Sequence, residues 1–181
     1  MEYTGTIKID NIDVSSVPKG LLRSRITTIS QDAVQLAGSV KENLLPYIGQ
    51  DNGKIDDTLL LRTLDRVGLG ETISSKGGLD ASLAGMSLSE GQMQFLCLAR
   101  AMLHNHWTGA KLILMDEPTS NMDYETDARI QALVREAFDD CTILMISHRE
   151  EAIADANVLL EVSNGSVSKR DRPATEAIDG E

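Results

Sequence analysis

The stretch KLILMDEPTSNMDYETDARIQALVREAFDDCTILMISH, residues 111–148, decides the fold class. It opens on a continuous apolar run closed by acid and proline, which fits a strand buried on both faces of a parallel sheet. Ile130, Leu133, Val134 and Ala137 then recur at i, i+3, i+4 and i+7, the stripe of an amphipathic helix, with Asp123 placed to cap its start. CTILMISH repeats the buried-strand pattern. Strand, helix and strand in that order predict parallel neighbours and an α/β fold.

Immediately upstream, MSLSEGQMQFLCLARAML (86–103) specifies a helix start. Ser89 and Gln92 match the S-x-x-Q capping box, with Leu88 and Met93 able to close a hydrophobic staple around it. Phe95, Leu96, Ala99, Met102 and Leu103 give that helix one apolar face. Gly91 is the odd residue, because glycine in a helix costs about 1 kcal/mol relative to alanine and the packing pattern does not ask for it. A phosphate would: free amides and the positive end of the helix dipole attract an anion, and a missing side chain lets it reach the backbone. Taken alone, the motif also fits a glycine that merely begins a helix after a flexible connector.

Further out, residues 4–14 alternate apolar and polar as short strands, and a third short strand covers 25–30. SVKENLLPY, a polar loop at 49–57 and DTLLLRTLDRVGL suggest a small helical region, with Leu60, Leu64 and Val67 as a buried stripe. Residues 68–87 read as a glycine- and serine-rich connector, LLEVSNGSVSK as a hairpin turning at Asn-Gly, and 169–181 as a polar, disordered tail.

With 181 residues, 41% hydrophobic and 25% charged, the chain suits a single domain with a core of its own, and aromatics at 3% make that core aliphatic. A net charge of −11 argues against nucleic acid or an anionic membrane as partner. No apolar run approaches the roughly 20 residues that cross a bilayer, and no signal-peptide region opens the chain, so it reads as cytosolic. Cys97 and Cys141 read as buried, reduced thiols; His104 and His106 as a solvated helix-end loop despite their metal-like spacing; Trp107 as packing.

In open α/β sheets ligands bind beyond the carboxyl ends of the strands, an edge that Asp116, Glu117 and His148 should share. One acid holding magnesium through water, a second polarising a water and a histidine near the terminal phosphate would form a phosphoryl-hydrolysis constellation. Each also has a bland reading, as a helix cap or a structural histidine.

The ordered set LSEGQ (88–92), LILMDEPTSNMD (112–123) and SH (147–148) resembles the ATP-binding-cassette (ABC) ATPases, specifically transporter nucleotide-binding domains. RITTISQDAVQLAGSVKENL resembles the Q-loop region, and GGLDASLAGMSLSEGQMQFLCLARAML the second such domain of multidrug-resistance-type, subfamily C transporters. The resemblance covers residues 4–168 and implies a P-loop NTPase-like ABC ATPase fold, incomplete in this chain: a parallel core sheet with a helical subdomain, its phosphate-loop strand and helix missing. It implies that Leu88, Ser89, Glu90, Gly91 and Gln92 form the signature motif and bind nucleotide together with Asp123 of the D-loop (Ser120, Asn121, Met122, Asp123). It makes Asp116 the Walker B aspartate, a magnesium ligand shared with the Q-loop glutamine Gln31, and makes Glu117, His148 and Gln31 the catalytic set. The implied cofactors are ATP and Mg2+. The implied partners are the transmembrane domains of a transporter and a second nucleotide-binding domain, at the cytoplasmic side of a membrane.

Departures qualify the activity. No segment matches G-x-x-x-x-G-K-[ST], and no adenine-stacking aromatic precedes the first strands, so the chain is expected to start after the phosphate loop, to expose apolar sheet surface and to be inactive alone. Ser30, QLAGS and Met93 also depart from the family's usual residues. The alternatives are a non-hydrolysing module that lends its signature to a partner cassette and, more remotely, a DNA-repair or chromosome-maintenance ATPase. The latter insert long coiled coils between Q-loop and signature, for which Gln31 and Leu88 lie too close in sequence.

Overall fold

A computed structural model describes residues 5–46, 56–117, 122–153 and 155–170. It divides into two compact units, Met1–Ile146 and Ser147–Glu181, where composition alone suggested one domain.

The first unit begins with a hairpin, β1 (Lys8–Ile9) and β2 (Ile12–Asp13), paired antiparallel. Asp10 and Asn11 both take left-handed backbone (φ 49° and 64°), the geometry of the two-residue turn whose twist matches antiparallel strands. Helix α1 (Lys19–Arg25) then leads into β3 (Ile26–Ile29). No residue of α1 is buried, so it has no apolar stripe for a sequence pattern to detect.

The helical region is α2 (Val40–Leu44), α3 (Asp57–Arg66) and α4 (Gly70–Ser75). Ser39 and Glu42 form a full capping box at α2, and the Asp56 carboxylate accepts from the Thr58 amide at α3. Leu60, Leu64 and Val67 are fully buried, as their spacing required; truncating Leu60 to alanine should cost about 2–5 kcal/mol. The connector at 68–87 contains a helix, α4, with Ile73 at its buried centre. Most of the polar loop at 49–57 lies outside the described residues; Asp56 and Asp57 already belong to the start of α3.

Helix α5 (Glu90–Thr108) is the spine of the unit, packing against α2, α3, β3 and α6 (Tyr124–Ala137). The expected apolar face is present, but Gln94, Leu98 and Ala101 are buried as well, so the helix is enclosed on several sides. Gly109, at φ 60°, ends it. His104 and His106 lie inside this helix, correcting the loop reading: the last turns stay hydrogen-bonded, and His104 Nδ1 meets Thr27 Oγ1 at 2.8 Å. Trp107 is 40% exposed and stacks edge-on with His106 instead of filling the core. Both cysteines are free and half-buried.

The central sheet is parallel, in the order β3–β4–β5, with β4 at Leu112–Asp116 and β5 at Thr142–Ile146. The strand–helix–strand unit is therefore as the sequence indicated. One face is covered: Thr27, Ile29, Ile113 and Met115 are buried, and Ile143 and Met145 pack onto the same core. The other face is open, with Leu144 at 56% and Ile146 at 60% exposure. This corrects the two-sided burial expected for β5 and matches the expected apolar sheet surface.

In the second unit, α7 (Glu150–Ile153) is followed by the hairpin of β6 (Leu159–Ser163) and β7 (Ser166–Arg170). It turns at Asn164-Gly165, both left-handed, as that dipeptide predicts. Because β7 runs to Arg170, Lys169 and Arg170 belong to a strand and not to the tail; residues 171–181 lie outside the described residues.

Candidate functional site

Two helix starts meet at the candidate site. At α5, Ser89 is extended (φ −67°, ψ 163°), its Oγ accepts from the Gln92 amide at 3.2 Å, and Gln92 Oε1 accepts from the Ser89 amide at 3.1 Å. The cap leaves the amides of Glu90 and Gly91 without an intrahelical acceptor, at the positive end of a nineteen-residue helix. Leu88 and Met93 both pack onto the core, consistent with a staple, while Ser89 and Glu90 are exposed. Two features aim the start of this helix. Ser87 sits in left-handed backbone at φ 47°, and Lys76 Nζ donates to the Met86 carbonyl at 2.5 Å.

Among the described residues, a Cβ built on Gly91 would meet Thr126 Cγ2 alone, at an ordinary 3.7 Å. None of those neighbours requires glycine there. Thr126 belongs to the first turn of α6, where Asp123 accepts from its amide at 3.0 Å and from its Oγ1 at 2.8 Å. Those two bonds, the backbone one foremost, hold the Asp123 carboxyl below the usual range. So Asp123, Thr126 and Gly91 lie at one place, and Asp123 is the helix cap the sequence indicated. Ser120 and Asn121 lie outside the described residues; Met122 packs against the core.

At the carboxyl edge of the sheet, Asp116 is exposed and pairs in register with Ile146. Glu117, the next residue, has φ 40°, and its amide donates to the Ile146 carbonyl at 3.0 Å. Left-handed backbone at a non-glycine residue costs on the order of 1–3 kcal/mol and concentrates at functional sites. Gln31 lies exposed just beyond β3, whose Ile29 pairs with Met115, so Gln31, Asp116 and Glu117 follow adjacent strand ends. Asp116 and Gln31 offer carboxylate and amide oxygens, the donors a hard cation such as Mg2+ takes when it keeps most of its water. His148 is exposed and stands at the start of the second unit, two residues after β5. Among the described residues no cluster of three or more His, Cys, Asp or Glu side chains could hold a metal by itself, and no helix is long and apolar enough to cross a membrane.

Sequence reading missed the residues that brace this site. Gln94 Nε2 donates to the Ser30 carbonyl at 3.1 Å, and Arg100 donates to the carbonyls of Val34 and Asn43. Arg129 of α6 lies 4.9 Å over the Phe95 ring. The available signal was two polar residues, Gln94 and Arg100, inside the otherwise apolar run Met93–Leu103.

Residues 1–120 match the family model described as ABC transporter. The chain is 36% identical over 172 residues to ABC multidrug transporter B of Aspergillus fumigatus, covering 95% of this chain and 11% of that protein. It is 38% identical over 172 residues to ATP-binding cassette sub-family C member 3 of Rattus norvegicus, covering 93% and 11%. It is 35% identical over 194 residues to the ATP-dependent bile acid permease of Saccharomyces cerevisiae, covering 94% and 11%. The chain thus spans about a tenth of the length of the curated relatives it matches. Those matches, joined to the parallel sheet and to the capped glycine-bearing helix of LSEGQ, place the chain in the ABC transporter family, within its ATP-binding domain.

Proposed function

We propose that this chain is the C-terminal part of an ATP-hydrolysing domain that drives export by a subfamily C-like transporter, and that its intact working part is the half-site at α5. The single observation that carries the reading is Gly91: a helix start whose Glu90 and Gly91 amides have no intrahelical acceptor, and a glycine that no neighbour among the described residues requires. In that reading the amides of Glu90 and Gly91, with the Ser89 hydroxyl, bind the terminal phosphate of an ATP held by a facing cassette. Asp123, fixed by Thr126, borders the same nucleotide. Such a cap orients the phosphate and neutralises charge developing on it.

In the cis half-site Asp116 and Gln31 would hold Mg2+ and Glu117 would polarise the attacking water, and by the family resemblance His148 would meet the terminal phosphate. ATP with its Mg2+ supplies the transferable phosphoryl group. These residues act only on a phosphate held in line, and the 181 residues contain no G-x-x-x-x-G-K-[ST] loop to hold it. The polypeptide alone therefore binds ATP in the millimolar range and does not turn it over, and works at the cytoplasmic side of a membrane when joined to transmembrane domains.

The test mixes the chain with a separately expressed cassette that has its own phosphate loop and a Glu→Gln hydrolysis block, in Mg-free ATP, and measures mass by light scattering. The expected result is an ATP-dependent complex that Gly91→Asp abolishes and Asp116→Asn leaves largely intact, since Asp116 serves the cis site. A complex indifferent to ATP or to Gly91→Asp would sink the proposal.

A further inference from the structure

Between β3 and α2, residues 30–39 form no helix or strand, so their backbone polar groups must find partners outside the regular ladders. Side chains from two helices provide them. Gln94, 2% exposed, donates to the Ser30 carbonyl. Six residues along α5, roughly 9 Å, the Arg100 guanidinium spreads over four acceptors: the Val34 carbonyl, the Asn43 carbonyl, Asn43 Oδ1 at 2.8 Å and Cys97 Sγ at 3.7 Å. Asn43 is fully buried in α2. Its Oδ1 also accepts from the Leu36 amide at 2.9 Å, and its Nδ2 donates to the carbonyls of Leu36 (3.0 Å) and Ser39 (2.9 Å).

The segment carrying Gln31 is thus pinned before that residue by Gln94 and after it by the Arg100–Asn43 pair. Gln94 and Arg100 stand on the helix whose first turn is Glu90–Gln92, and Asn43 stands on α2. A planar guanidinium that fills several acceptors at once fixes direction as well as distance, which a lysine ammonium does not. We propose that Gln94 and Arg100 are positioning residues that lock the Gln31 turn to the start of α5 in one fixed spatial relation. The functional meaning of that relation rests on the reading above, but the lock itself needs neither nucleotide nor partner.

The test is a spin-label distance measurement on the full chain without ATP. Labels are placed at Asp32→Cys and Glu90→Cys, two exposed positions, in a Cys97→Ser/Cys141→Ser background, in which the serine hydroxyl at 97 keeps an acceptor for Arg100 where the sulfur stood. The parent should give one narrow distance distribution. Arg100→Ala and Gln94→Met should broaden it at least about twofold or split it, and Arg100→Lys should fall between. Leu133→Ala, which removes a buried α6 side chain that takes part in none of these bonds, lowers stability and should leave the distribution narrow. If Arg100→Ala does not fold, Arg100→Lys and Gln94→Met carry the test. A broad parent distribution, an unchanged width in the clamp variants, or equal broadening in Leu133→Ala would overturn the proposal. Failure of the ATP-dependent complex would not alter these distances, so the two readings fail separately.

Discussion

Replacing Gly91 with alanine separates a glycine kept for the fold from one kept for a ligand. Among the described residues the new methyl has Thr126 Cγ2 at 3.7 Å as its one close contact and meets no clash. Gly91 lies in the first turn of α5, where alanine should gain about 0.5–1 kcal/mol through lower backbone entropy in the unfolded chain. At about 2–4 °C per kcal/mol for a chain of this size, Tm should rise by about 1–4 °C. The same methyl keeps a phosphate oxygen from the Gly91 amide. Loss of one charge-assisted hydrogen bond, about 1.5–3 kcal/mol, should weaken the ATP-dependent complex by about 10- to 100-fold. Thermal melting and titration with the ATP-loaded partner read the two effects separately. A Gly91→Ala chain that melts lower refutes the packing argument, and one that melts higher yet binds the partner unchanged refutes the phosphate argument.

Two further outcomes follow from the same structure. The Asp123 carboxylate titrates below its usual range because Thr126 donates to it, so its contribution to stability is complete above the ordinary aspartate value of about 3.9 and is lost as pH falls through the lower folded value; Asp123→Asn, which keeps an acceptor but cannot titrate, should flatten the acid limb of a stability–pH curve, and an identical limb would contradict the cap. Leu144 and Ile146 stand on the open sheet face, so Leu144→Thr with Ile146→Thr should change unfolding free energy by under about 1 kcal/mol and reduce self-association in sedimentation, whereas a loss of about 2–5 kcal/mol would mean that the face is covered.

Local signals were the legible ones. The S-x-x-Q box at Ser89, the Asp123 cap, the α3 stripe and the Asn164-Gly165 turn are all decided within eight residues of chain, and all stand as read. Helix α1 was illegible because it buries nothing, and α4 because GETISS carries a single core residue, Ile73. The open face of β5 could not be read from TILMI, since an apolar strand looks the same whether its second face is covered or bare. The clamp at Arg100 and Asn43 joins positions 57 residues apart, and the His104–Thr27 bond positions 77 apart; both depend on how helices pack, which no local pattern encodes. At the candidate site, motifs in the sequence name the residues proposed, whereas the left-handed backbone of Glu117 and the closeness of Thr126 to Gly91 emerge only from the fold.

The central claim is that the first turn of α5 receives a phosphate from a nucleotide held by another cassette. Amide chemical shifts of the 15N-labelled chain, followed while unlabelled ATP-loaded, hydrolysis-blocked partner is added, read that contact at the atoms concerned. The account expects large, saturable shifts at the Glu90 and Gly91 amides, absent when the partner is nucleotide-free. Shifts confined to other surfaces, or the same shifts without ATP, would contradict it.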